Sequence, residues 1–130
     1  MRRLIVDGMN VIGVRPDGWW RDREGAAQRL LQRLESYSAS DGVQVTLVLD
    51  GWSRPGLPEG DHGGVLVIYA RDAGSETADD RIIELLAADS EPSTIKVVTS
   101  DRALRERVHA LGATTGRPRS LLERLDEPGS

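Results

Sequence analysis

Residues 4–7 read LIVD, residues 45–50 read VTLVLD and residues 95–101 read IKVVTSD, three apolar β-type runs that each close on an aspartate. A parallel α/β sheet places its functional crevice outside the carboxyl ends of its strands, so Asp7, Asp50 and Asp101 are expected on one rim. The segment ETADDRIIELL, residues 76–86, opens a helix that starts on that same side and adds Glu76, Asp79 and Asp80. Carboxylates gathered this closely repel and raise one another's pKa unless a cation lies between them. The pattern therefore points to a divalent metal site.

Outward from these runs, strands alternate with helices. Strands are expected at 3–6, 45–49, 65–69 and 95–99, with a short fifth at 113–115. Val45–Leu49 and Val65–Tyr69 are apolar enough to be buried on both faces. A turn through Gly8 and Gly13 follows the first strand. Ala26, Ala27, Leu30, Leu31, Leu34 and Tyr37 recur at helical spacing, which predicts a helix over about 22–39. Further helices are expected at about 76–88, 102–111 and 120–125. The fold class is thus α/β with a mostly parallel sheet of four to five strands. Residues 51–64, GWSRPGLPEGDHGG, form a long Gly- and Pro-rich loop, either mobile or functional.

The chain has 130 residues, which suits one domain, expected over 1–125 with a disordered polar tail at 126–130. Cysteine is absent and His62 and His109 stand far apart, which excludes disulfides and the usual zinc motifs and leaves a hard, oxygen-ligated ion. No apolar run is long enough to span a membrane, and the start of the chain carries no signal peptide, so a soluble, cytoplasmic protein is expected. A net charge of -4 argues against nucleic-acid binding through overall positive charge, but not against a nuclease with an acidic metal site. Lys96 is the sole lysine; the arginine bias fits a GC-rich genome better than a binding role.

The helix after Ser75 carries the sharpest argument. On a wheel of about 100° per residue with Glu76 at the origin, Leu85, Ala78, Ile82, Leu86 and Ile83 fall between about 180° and 340°. Asp79 falls inside that apolar arc, where an unpaired carboxylate is costly. Glu76 and Asp80 lie at its edge, where first-turn acids also serve the helix dipole, with Ser75 or Thr77 as cap. Singly, the strand-end acids have structural readings: Asp7 and Asp50 precede glycine, a common turn, and Asp101 is placed to cap the helix from Arg102. Their joint placement favours a site. Asn10, Thr99 and Ser100 are candidate donors to the same crevice.

VDGMNVIG, VLDG, ETADDRI and VVTSDR, in this order and spacing, resemble the motifs of the NYN branch of PIN-like ribonucleases, especially the YacP type. The likeness spans residues 3 to about 125. It implies a three-layer α/β/α fold and Mg²⁺- or Mn²⁺-dependent endonucleolytic cleavage of RNA, single-stranded or associated with translation. Matched by motif, Asp7, Asp79 and Asp101 are the principal metal-site acids and Asn10 the motif asparagine. Asp50 and Glu76 match supporting acids, and Asp80 the second acid of a double aspartate found in some NYN relatives. The sequence departs from the YacP type before the last helix, where LGATTGRPRSLLERL keeps only Arg119 and Ser120 of a glycine- and arginine-rich segment, and it lacks the type's longer C-terminal extension.

Residues 15–23, RPDGWWRDR, place Arg15, Arg21 and Arg23 beside Trp19 and Trp20 on the active rim, and Trp52 and Arg54 begin the long loop there. Aromatic stacking and arginine contacts hold single-stranded RNA. One tryptophan of the pair is expected in the core and the other, Trp20, at the substrate, with Ser100 as a further contact. Arg102, Arg105 and Arg107 read as a solvated helix face. A receiver-type phosphoacceptor would need a strand-end lysine, and a haloacid-dehalogenase phosphatase an acid at Met9. The principal alternative is an RNA-binding or scaffold module that does not cleave.

Overall fold

Leu4 and Val6 face one apolar core and Ile5 the other, the alternation of a strand covered on both sides. That strand, β1 (Arg3–Asp7), belongs to a computed structural model that describes residues 2–127. It runs parallel to β2 (Gln44–Leu49) on one side and β5 (Ile95–Val98) on the other. β4 (Val65–Tyr69) pairs parallel with β2, and β6 (Thr114–Gly116) parallel with β5. With β3 (Gly60–His62) antiparallel to β4, the sheet has six strands in the order β3-β4-β2-β1-β5-β6.

Helices close both faces. On one, α1 (Gly8–Ile12), α2 (Arg23–Asp41) and α5 (Pro118–Asp126) cover Val6, Leu47 and Val67 with Leu30, Leu34 and Leu121 among the buried side chains. On the other, α3 (Ala78–Ala87) and α4 (Arg102–Ala110) set Ile82, Leu86, Leu104 and Val108 against Ile5, Val48 and Val97. The three-layer α/β/α arrangement is the expected one. Side chains mark the helix starts: Asp22 accepts from Gly25 N at 3.0 Å, Thr77 from Asp80 N at 3.1 Å and Asp101 from Leu104 N at 2.9 Å. Gly42, with φ 66°, ends α2 in the left-handed conformation that glycine adopts without strain.

Four expectations need correction. The sheet has a sixth strand, β3, inside the supposed loop, because Gly63 and Gly64 (φ 57° and 91°) make a two-residue hairpin turn that returns the chain into β4. The rest of that loop is anchored: Leu57 is buried, Gln28 Nε2 donates to the Gly56 carbonyl at 2.7 Å and the Tyr69 hydroxyl to that of Leu57 at 2.7 Å. The turn after β1 is the short helix α1. Glu76 precedes the Thr77 cap and so lies outside α3. Finally, α5 runs on to Asp126, which pairs with Arg15 and Arg33, while residues 128–130 of the expected tail lie outside the described residues. Among the described residues no helix is long and apolar enough to cross a membrane.

Candidate active site

Register sets the centre of the site. β1 pairs with β5 as far as Val6↔Val98, so Asp7 stands beside Thr99, the first residue past β5. Thr99 Oγ1 donates to Asp7 Oδ2 at 2.9 Å and accepts from Asp101 N at 3.2 Å, tying two of the strand-end acids through one buried hydroxyl. Asn10, on α1, is held from the same segment: its Oδ1 accepts from Ser100 N at 2.8 Å and from Ser100 Oγ at 2.9 Å. A backbone N–H can only donate, so the amide orientation is settled and the side-chain NH₂ of Asn10 is left as a donor.

The acids divide by their surroundings. Asp7 is 5% exposed. Burial pushes its pKa up to about 6; the Thr99 hydrogen bond opposes this, and the charges of Asp79, Asp50 and Asp101 add to it. Asp79 is half-buried on the first turn of α3, and burial and then Asp101, Asp50 and Asp80 raise its pKa, with Arg107 pulling the other way. Asp50 and Asp101 each use one oxygen structurally. Asp50 Oδ1 accepts from Ala78 N at 2.8 Å, and Asp101 is the α4 cap. The fold thus brings Asp7, Asp50, Asp79 and Asp101 within electrostatic reach of one another. Asp80 is exposed and 3.7 Å from Arg107, and Glu76 is exposed and is not among the charges that chiefly raise Asp7 or Asp79.

An all-oxygen donor set that holds uncompensated negative charge fits a hard divalent cation such as Mg²⁺ or Mn²⁺. Among the described residues no three acids stand close enough together to hold a metal ion by themselves. Mg²⁺ sites commonly use one or two carboxylates and complete the shell with water and substrate phosphate, so an open set suits an ion shared with a substrate.

Two concavities flank the acids, as the strand order requires. One, of about 410 Å³, lies over the ends of β2 and β4 and is lined by Met9, Trp19, Arg23, Asp50, Arg54 and Tyr69, among others. Trp19 packs on the core, as expected for one of the pair, and meets Trp20 edge-on at 6.0 Å, while Trp20 is 50% exposed. Arg21 and Arg23 stand over Trp20 and Trp19 at 5.8 and 5.5 Å. Trp52 is 67% exposed. Arg15 is not with this group: it pairs with Asp126 at 2.6 Å on the α5 side.

The second concavity, of about 630 Å³, is lined by Ser100, Arg102, Arg105, His109, Arg117 and Arg119, among others. Sequence periodicity alone reads Arg105 as solvated. Instead its Nη1 donates to the Thr99 carbonyl at 3.0 Å, because the short β6 leaves the carbonyls at the sheet's end open to it. The signal available beforehand was Arg119, kept from the family segment.

The family model of the YacP-like NYN domain matches residues 4–129. Two crystal structures of Rae1 (YacP) from Bacillus subtilis, one of them of a tryptophan-to-leucine mutant, are similar to this chain at 31% identity. The mutant superposes with a TM-score of 0.78, covering 97% of this chain and 76% of the other, and the second structure with 0.76, covering 97% and 74%. No curated protein matches.

Proposed function

The chain belongs to the YacP-like NYN domain family, a branch of the PIN-like nucleases, and on that premise we propose that it is a divalent-metal-dependent endoribonuclease. The observation that carries the reading is Asp7: a buried carboxylate at a strand end, facing the charges of three further aspartates, with no cationic partner among the described residues. A buried carboxylate without a cationic partner is costly, and such perturbed groups cluster at functional sites.

Asp7, Asp79 and Asp101 would hold Mg²⁺ or Mn²⁺, directly or through water, with Asp50 in support. The bound ion supplies charge neutralisation at the phosphate and acidity to the attacking water. Thr99 fixes the Asp7 carboxylate against rotation, and Asn10, held through its Oδ1 by Ser100, keeps an NH₂ that would donate to a phosphate oxygen. In-line attack would leave a 5′-phosphate and a 3′-hydroxyl. The substrate class is RNA, with Trp20 as a stacking platform beside the acids.

Cleavage of end-labelled, mostly single-stranded RNA tests this. Cutting is expected with Mn²⁺ or Mg²⁺, none with EDTA, and none from Asp79→Asn. RNA binding in EDTA without cutting in any metal would move the protein to the binding-module reading, which the absence of a closed three-acid set among the described residues favours. Trp20→Ala is expected to weaken single-stranded RNA binding about tenfold, in line with about 1–3 kcal/mol per stacked base. Fluorescence anisotropy in EDTA reads this, and an unchanged affinity would take Trp20 out of the interface.

A further inference from the structure

We propose, resting on the reading of the protein as an RNA nuclease, that the cleft between α4, β6 and the start of α5 binds phosphates of the single RNA strand that runs past the carboxylates. Four arginines, Arg102, Arg105, Arg117 and Arg119, line it, against one acid, Glu106. Arg102, Arg105, Arg117 and Arg119 make no ion pair among the described residues; Arg2, Arg21, Arg23, Arg29, Arg54 and Arg71 also make none, so it is the gathering of four in one cleft that marks it. On a chain with net charge -4 this is a local excess of positive charge that no internal partner consumes. Guanidinium groups present paired donors that match phosphate oxygens.

Position joins the cleft to the site. Ser100 lines the cleft, donates to Asn10 and directly precedes Asp101. Arg105 is half-buried and pinned by its bonds to the Thr99 and Gly116 carbonyls, at 3.0 and 3.5 Å, so one donor group is oriented before any ligand arrives. A strand laid across four aspartates is repelled there unless charge of the opposite sign holds it on either side. On one side Arg23 and Arg54 lie beside Asp50; on the other, this cleft gathers four arginines beside Ser100, whereas the other basic linings, around Arg2 and Lys96, include none of the site residues.

The test is anisotropy of a labelled oligouridylate in EDTA over a series of salt concentrations. It compares wild type with an Arg117→Gln, Arg119→Gln double variant and with a control, Arg29→Gln on α2, which lines a different cavity. The cleft variant is expected to bind about tenfold more weakly, with a salt slope smaller by about 1.4, from about 0.7 per phosphate contact on a single strand. The control is expected to match wild type. Should the cleft variant melt early, Arg102→Gln on α4 reads the same effect at half the slope change. Wild-type binding with the same slope in the cleft variants would overturn the cleft while leaving the RNA reading standing; no wild-type binding to any RNA would overturn both. Full displacement of the oligonucleotide by a mononucleotide at equal phosphate concentration would assign the cleft to a small ligand and also overturn the proposal.

Discussion

Asp7→Asn is expected to raise the melting temperature of the metal-free protein by about 10 °C at neutral pH and to lower metal-dependent RNA cleavage about a thousandfold. The two effects share one cause. Asp7 is buried, and its pKa stands at about 6 against an ordinary 3.8. A carboxyl whose folded pKa lies above its unfolded value is favoured in the protonated state, so its contribution to stability is fully present below about pH 3.8 and is lost as pH rises through about 6. By pH 7 the loss amounts to about 3 kcal/mol. Asparagine keeps an oxygen for the Thr99 hydroxyl but never ionises, so the loss disappears with the charge. The charge is also what would hold the ion, and several kcal/mol of electrostatic stabilisation go with it. Thermal melts in EDTA across pH check the first half: wild type should lose stability between about pH 4 and 7 while the variant stays level. Parallel curves would show that Asp7 does not titrate there. Adding Mn²⁺ should raise the melting temperature of wild type and leave that of the variant nearly unmoved.

Gly8→Ala is expected to destabilise the protein by about 2 kcal/mol, within the range of about 1–3 kcal/mol for overpacking a close-packed core, and to lower the cleavage rate with it. Gly8 does not have a positive φ, so backbone freedom is not the reason. A Cβ there would lie 2.7 Å from Leu49 Cδ2, 3.0 Å from Leu47 Cδ1 and 3.1 Å from the Val48 carbonyl oxygen. Both leucines are buried in the α2-side core, which limits their room to swing, and the carbonyl is fixed by the sheet. The added methyl would push α1 off β2, and α1 carries Asn10. Urea denaturation should show a lower midpoint at unchanged slope, since the folded surface hardly changes. A neutral result would mean that α1 rests loosely on the sheet and that Asn10 is not positioned by it.

The same glycine shows how far the sequence can be read. Asp7-Gly8 has the look of a turn, and only the distance to β2 reveals a packing requirement. Strands with uninterrupted apolar runs were legible, and Leu4–Val6 are indeed buried on both faces; Val65–Tyr69 is not as expected, since Leu66 is 42% exposed and only Val65, Val67 and Tyr69 face the core. β3 was not, since Gly60, Asp61 and His62 have no apolar signal and are strand only because β4 offers an open edge; the Gly63-Gly64 pair was the available clue. Within the candidate site, the wheel put Asp79 on the inward arc of its helix, and it is half-buried there. Glu76 fell with the helix boundary: once Thr77 caps α3, the residue before it has no wheel position to argue from. Beyond the hint in Arg119, the arginine cleft could not be read because it joins α4 to α5 across β6, and no local spacing encodes that adjacency.

The strand order also bears on when the molecule becomes itself during synthesis. β1 lies between β2 and β5, and the Thr99 hydroxyl that holds Asp7 comes 92 residues after it. Contacts of such sequence separation are closed late, because the chain between them must surrender its freedom first. A nascent chain ending before residue 95 leaves one edge of β1 open and an incomplete α3-side core. On such a chain Asp7 and Asp79 have neither Asp101 nor the bonds from Thr99 and Ser100. The emerging polypeptide therefore carries three of the four aspartates but is spared the charge of Asp101 until its last third arrives, and the site is complete only as the sheet is.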